Sequence, residues 1–154
     1  MADKPAQKFE IQKIYIKDLS FETPNSPKIF TEKWHPKTDV HIQTENNKLD
    51  ENIFEVAITV TVTATQGEST AFLAEVNQAG IFLIEHFSKD QHKQLLGSYC
   101  PNILFPFARE TVAELVAKGG FPQLLLNPVN FDALYQQHLS AVKEQKDIPE
   151  DKKH

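Results

Sequence analysis

The run from Ile53 to Thr65 constrains the fold more than any other stretch of the chain. Phe54, Val56, Ile58, Val60 and Val62 alternate with Glu55, Ala57, Thr59, Thr61 and Thr63. A period of two puts the first set on one face of an extended strand and the second on the other. β-Branched side chains dominate the run and suit a pleated surface. One amphipathic strand is not stable alone. It needs strand neighbours and a layer over its apolar face.

Neighbours are visible on both sides. Gln66-Gly67-Glu68 turns the chain into Thr70–Gln78, where Phe72, Ala74 and Val76 alternate with Leu73, Glu75 and Asn77. Gly80 permits a bend into Ile81–Ile84. Upstream, Asp39–Glu45 alternates, and Asn46-Asn47 with Asp50-Glu51-Asn52 marks a turn. Phe9–Glu22 reads as a fourth strand, with Ile11, Tyr15, Leu19 and Phe21 on one parity and Asp18 and Glu22 on the other. Ile14 and Ile16 break the alternation and predict a bulge or two-sided burial. Pro24, Pro27 and Pro36 exclude a strand between residues 23 and 37, leaving a long loop that carries Ile29, Phe30 and Trp34.

The period changes after residue 100. Leu104, Ala108, Thr111, Val112 and Leu115 form a helical stripe that ends at Gly119-Gly120. Pro106 falls early, so the regular helix is expected to begin near it, with one turn before it. Residues 121–129 form an apolar, proline-bracketed connector. Asn130 then caps a second helix with Asp132 in its first turn and a stripe of Phe131, Leu134, Tyr135, His138 and Val142. Residues 85–99 carry no clear pattern. The expectation is an α+β domain over residues 9–142: a four-stranded antiparallel sheet, a long crossover loop after its first strand, and two C-terminal helices packed on one side. Residues 1–8 and 143–154 are expected to be disordered.

Composition narrows function. Sixteen Lys and Arg against 21 Asp and Glu give a net charge of −5, a poor match to nucleic acid, whose affinity comes mainly from cations. The single cysteine excludes an internal disulfide and a cysteine-rich zinc site. The N-terminus has no basic patch followed by an apolar run, so a cytoplasmic protein is expected. The unbroken apolar stretch Ile81–Ile84 is far below the ~20 residues that a membrane span needs, and no membrane insertion is expected. No phosphate-binding loop, dinucleotide fingerprint, nucleophile elbow or zinc-protease motif occurs. His86 and His92 are spaced irregularly in a polar segment, and Cys100 precedes a proline in apolar surroundings. No catalytic residue, metal or cofactor is expected.

Two surface features remain. Asp18 and Glu22 share a parity, as do Leu73 and Glu75, and both pairs oppose the apolar set. Together they form either an acidic face for a basic, partly apolar partner or an ordinary solvated sheet face. Trp34, Val40, Ile42, Leu124, Leu125, Leu126 and Val129 either line a groove for extended apolar polypeptide or close the core. A carrier of a small apolar ligand is the alternative use of such a groove.

The run Ile14-Tyr15, Lys17–Glu22 and Pro24-Asn25, the run Cys100–Pro106 with Ala108–Glu110, and Phe121–Leu124 with Pro128–Leu134 closely resemble the SecB family of bacterial protein-export chaperones. The match runs from about Phe9 to Leu139. The resemblance implies an ATP-independent holdase that is a homotetramer, a dimer of dimers. It would bind unfolded preproteins and pass them to the SecA motor of the translocase. It assigns SecA binding to Asp18, Glu22, Leu73 and Glu75. It assigns the groove for unfolded polypeptide to Trp34, Val40, Ile42, Phe54, Leu124, Leu126 and Tyr135. It assigns the oligomer interface to Ala74, Val76 and Gln78.

Overall fold

A computed structural model describes residues 5–147, with side chains to residue 144. Four strands form one antiparallel sheet: β1 (Lys8–Glu22), β2 (Lys37–Asp50), β3 (Ile53–Gln66) and β4 (Ser69–Glu85), in the order β1-β4-β3-β2. A 3-10 turn, Lys28–Thr31, lies in the crossover loop and buries Ile29. Helix α1 (Lys89–Gln94) runs through a π-helical turn, Leu95–Tyr99, into α2 (Cys100–Lys118). After the connector comes α3 (Phe131–Asp147). All helices lie on one face of the sheet. The expected α+β architecture is the observed one.

The core is the apolar face of β3 and β4 under α2. Val60 sits opposite Val76, Val62 opposite Ala74 and Phe54 opposite Phe82. Leu96, Cys100, Leu104, Ala108, Val112 and Val116 press down on this face at four-residue intervals. Of the expected stripe, Thr111 and Leu115 are only half-buried, and Val116 fills the place below them.

Several boundaries differ from expectation, each for a physical reason. Asn46-Asn47 is not a turn but lies inside β2, paired with Val56 and Glu55. The reversal is confined to Glu51-Asn52, where Asn52 takes φ 62°, a conformation asparagine tolerates well. Gly80 does not bend β4, which is continuous. A Cβ there would lie 2.9 Å from the Phe82 ring and 3.1 Å from Leu104, so the glycine allows close packing of α2 on the strand. Pro106 does not start the helix but lies within α2 on its exposed side. Asn102, whose carbonyl loses its intrahelical donor there, is exposed too. The unpatterned residues 85–99 are mostly helical. Ser88 opens α1 with a reciprocal capping box to Gln91. Asn130 caps α3 as expected, accepting from the Ala133 N–H at 3.0 Å. Helix α3 continues past Val142 to Asp147. Residues 1–4 and 148–154 of the expected tails lie outside the described residues.

Strand β1 carries two bulges, one between Ile11 and Lys13 and one between Ile16 and Asp18. Each shifts the parity. Phe9, Ile11, Ile14, Ile16, Leu19 and Phe21 therefore pair with inward-facing positions of β4. Tyr15 pairs with Ala79 and faces outward, not inward with Ile11 as its parity suggested. Helix α2 covers β4 and β3 but stops short of β1, so Ile11, Ile16 and Leu19 stay exposed on the helix side.

Candidate functional site

The inner face of β2 forms the floor of two adjoining cavities. One, about 520 Å³, lies between β2 and α3 and is lined by Ile42, Thr44, Leu96, Leu134, Tyr135 and Val142 among others. The second, about 480 Å³, lies between β2 and the connector and is lined by Val40, Ile42, Phe105, Leu126, Val129 and Leu134 among others. They share Ile42 and Leu134, so together they make one groove along the strand. Volumes of this size hold one to a few side chains. Of the seven residues assigned to the groove, Val40, Ile42, Leu126 and Tyr135 line it. Trp34 packs on Phe121, with ring centroids 5.4 Å apart, and Leu124 lies against the core. Phe54 meets His92 edge-on under α1. These three do not line the groove.

Sequence reasoning missed Leu134 and Val142 as groove residues. Both belong to the apolar stripe of α3, yet both remain substantially exposed. The helix attaches through its first turns instead. The Ser98 hydroxyl donates to Asp132, Phe131 packs on Phe105, and the Cδ2–Cε2 edge of the Tyr135 ring lies against Gly97. A Cβ there would lie 2.6–2.7 Å from that edge, so any larger residue must displace the ring. The rest of the stripe overhangs the groove.

The opposite face of the sheet gathers the acidic set. Asp18 pairs with Asn77, Ser20 with Glu75 and Glu22 with Leu73. These rows continue onto Thr59, Thr61 and Thr63 of β3. Asp18, Glu22, Leu73 and Glu75 therefore form one patch across two strands, on the side away from the helices. The Thr61 hydroxyl donates to Glu75 Oε2 at 3.0 Å. Further along the face, Glu55 is nearly buried and receives Tyr15 O–H and Lys17 Nζ, the latter at 2.9 Å. The Tyr15 hydrogen bond, with the Lys17 ammonium, holds the Glu55 carboxyl below its usual range. Burial, aided by the Glu55 charge, pushes the Tyr15 hydroxyl up to about 12. Glu55 is thus compensated locally, while Asp18, Glu22 and Glu75 have no ion-pair partner among the described residues.

Ala74, Val76 and Gln78 face inward beneath α2 and are buried within the chain itself. They touch the uncovered part of β1: Leu19 pairs with Val76 and Ile16 with Gln78, whose Nε2 donates to the Tyr15 carbonyl at 3.0 Å. Cys100 is buried, and burial alone pushes its thiol up to about 12. Such a thiol is a poor nucleophile. Among the described residues no group of three or more His, Cys, Asp or Glu could hold a metal, and no helix is long and apolar enough to cross a membrane.

A family model described as preprotein translocase subunit SecB matches residues 2–142. The chain belongs to the SecB family. The protein-export protein SecB of Methylococcus capsulatus is 54% identical over 92% of this chain and 92% of its own length. That of Nitrosococcus oceani is 60% identical over 84% of this chain and 80% of its own. Among solved structures, a SecB-like chaperone of Mycobacterium tuberculosis in complex with an antitoxin peptide superposes with TM-score 0.65. It is 16% identical and covers 79% of this chain and 90% of that one, which shows a common fold. The chain is thus a protein-export chaperone of the SecB family, and that family is not an enzyme class.

Proposed function

We propose that this chain is an ATP-independent holdase of the cytoplasm. It would take extended apolar segments of unfolded preproteins into the β2–α3 groove and deliver them to SecA on the acidic sheet face. The carrying observation is the overhang of α3: Leu134 and Val142 of its apolar stripe stand over the strand floor without being buried by the chain itself. Apolar segments that a folded protein hides would fill that space. Burial of one large apolar side chain is worth about 1.5–3 kcal/mol, so one groove binds weakly. Several grooves acting on one long polypeptide raise the apparent affinity by about 10²–10⁴.

Several grooves require self-association. The homotetramer would form over the uncovered helix side of β1, where Ile11, Ile16 and Leu19 are 43–45% exposed. Tyr99 of the π-helical turn and Phe107 of α2, both exposed, would take part as well. Phe9 on β1 stacks edge-on against Tyr99 at 5.2 Å, which makes strand and helix one surface. Ala74, Val76 and Gln78 would act on assembly from behind, by setting the position of β1.

The test is light scattering after size exclusion, with a slow-folding polypeptide added from urea. The expected species is four times 17.5 kDa, co-eluting with the unfolded polypeptide and not with the folded one. Ile42→Asp should abolish polypeptide capture and spare SecA binding, and Glu75→Lys should do the reverse. A monomer indifferent to unfolded chains, or equal loss of both activities in each variant, refutes the proposal.

A further inference from the structure

The four residues of the acidic patch do not present themselves equally. Asp18 and Glu22 make no side-chain hydrogen bond among the described residues, whereas Glu75 accepts from Thr61 Oγ1 at 3.0 Å. Glu75 is exposed in the interior of β4, with Ser20 opposite it on β1 and Thr61 opposite it on β3. Neither neighbour is a cation, so nothing neutralises the carboxylate in this row. A free glutamate samples many rotamers, and a partner that selects one must freeze the others at a cost of about 0.5–1.5 kcal/mol. A hydrogen bond from a β-branched side chain on the rigid central strand removes much of that freedom beforehand. Threonine χ1 is itself stiff, so the donor is fixed in direction.

We infer that Thr61 is a positioning residue for the SecA-docking face: its hydroxyl holds the Glu75 carboxylate in the geometry that the partner meets. The inference rests on the proposal that Glu75 is a docking contact. Thr61 belongs to β3, outside the set assigned by resemblance, and it acts through Glu75 without needing to touch the partner. Thr59 and Thr63, its neighbours on the same face, donate to no member of the patch among the described residues, so the role is specific to one of three threonines.

The test is a double-mutant cycle read by SecA titration, with polypeptide capture measured in parallel. Valine keeps the β-branch and the strand preference and puts a methyl group where the hydroxyl was. Thr61→Val is expected to weaken SecA binding about two- to tenfold, with capture unchanged. Thr61→Ser keeps the donor without the β-branch that fixes its direction and should fall between wild type and the valine variant. In a Glu75→Ala background Thr61→Val should have no further effect. A loss of the same size in both backgrounds, a serine variant as weak as the valine one, or a valine variant of wild-type affinity overturns the inference. If Glu75→Ala itself binds SecA normally, the docking face is wrongly placed, and the positioning role falls with it.

Discussion

Gly97→Ala tests how α3 is held over the groove. A Cβ at this position would lie 2.6 Å and 2.7 Å from Cδ2 and Cε2 of Tyr135. Carbon atoms rest at about 3.5–4.0 Å, so the ring must retreat by roughly 1 Å. Overpacking of this kind costs about 1–3 kcal/mol. Alanine in a helical segment recovers about 0.8–1 kcal/mol over glycine. The clash therefore wins by about 0–2 kcal/mol, the difference of those two ranges. That difference should fall on the docking of α3 and not on the sheet core, because Tyr135 is only half-buried and the core lies under α2. Hydrogen exchange should show amides of residues 131–147 opening more often, by up to about thirtyfold at the upper end of the range. The β3 and β4 amides should keep their protection, and polypeptide capture should weaken. Adding Tyr135→Ala should remove the clash and its share of the loss. Uniform loss of protection across the sheet, or unchanged exchange in α3 with weakened capture, would refute the view that Gly97 acts through the Tyr135 seat.

Two further outcomes follow from the buried polar groups. The folded Glu55 carboxyl titrates below its ordinary 4.5, so its stabilising contribution is present above that pH and is lost as pH falls through the folded value. The Tyr15 hydroxyl is raised from 10.0 to about 12, so its contribution is present below pH 10 and is lost as pH climbs toward 12. Denaturant melts across pH should show both limbs. Glu55→Gln should flatten the acid limb and Tyr15→Phe the alkaline one; variants that keep both limbs unchanged would contradict this. Cys100, buried with its thiol pushed up to about 12, should resist alkylation at neutral pH in the native protein and react within minutes in denaturant, as mass spectrometry would show. Rapid native alkylation would mean that α2 lifts from the sheet.

Local chemistry made some elements legible and long-range contacts decided the rest. The alternation of β3, the glycine pair closing α2 and the Asn130 cap are all set by residues close in sequence, and each was readable. Asn46-Asn47 looked like a turn because asparagine favours turns in isolation. It is strand because β3 continues opposite it and supplies the ladder. Gly80 looked like a bend because the close approach of Leu104, which gives that glycine its role, comes from another element. Helix α1 had a readable start in the Ser88–Gln91 capping box. Its short polar run hid that signal, and a helical stripe is legible in the sequence only from Leu104, although the buried stripe begins at Leu96. Four of the seven groove residues line the groove. The other three are aromatic or aliphatic groups whose spacing cannot distinguish a cavity wall from packing elsewhere in the domain.

The β1 bulges tie the two candidate surfaces to one another. Without them a strict period of two would put Tyr15 inside with Ile11 and Leu19, and Ile14 and Ile16 outside. With them, Ile14 and Ile16 join the helix side, and Tyr15 swings outward to hydrogen-bond Glu55. That move closes a compensated cluster at mid-sheet and leaves the uncompensated carboxylates at the Leu73 end. The same parity shift gathers Ile11, Ile16 and Leu19 into one apolar strip that α2 does not cover. A bulge on an edge strand ordinarily spoils pairing. Here two of them let one strand present an apolar surface to the helix side and an acidic one to the other. On the proposed function, a polypeptide in the groove and SecA on the outer face would use opposite sides of one sheet, with neither blocking the other.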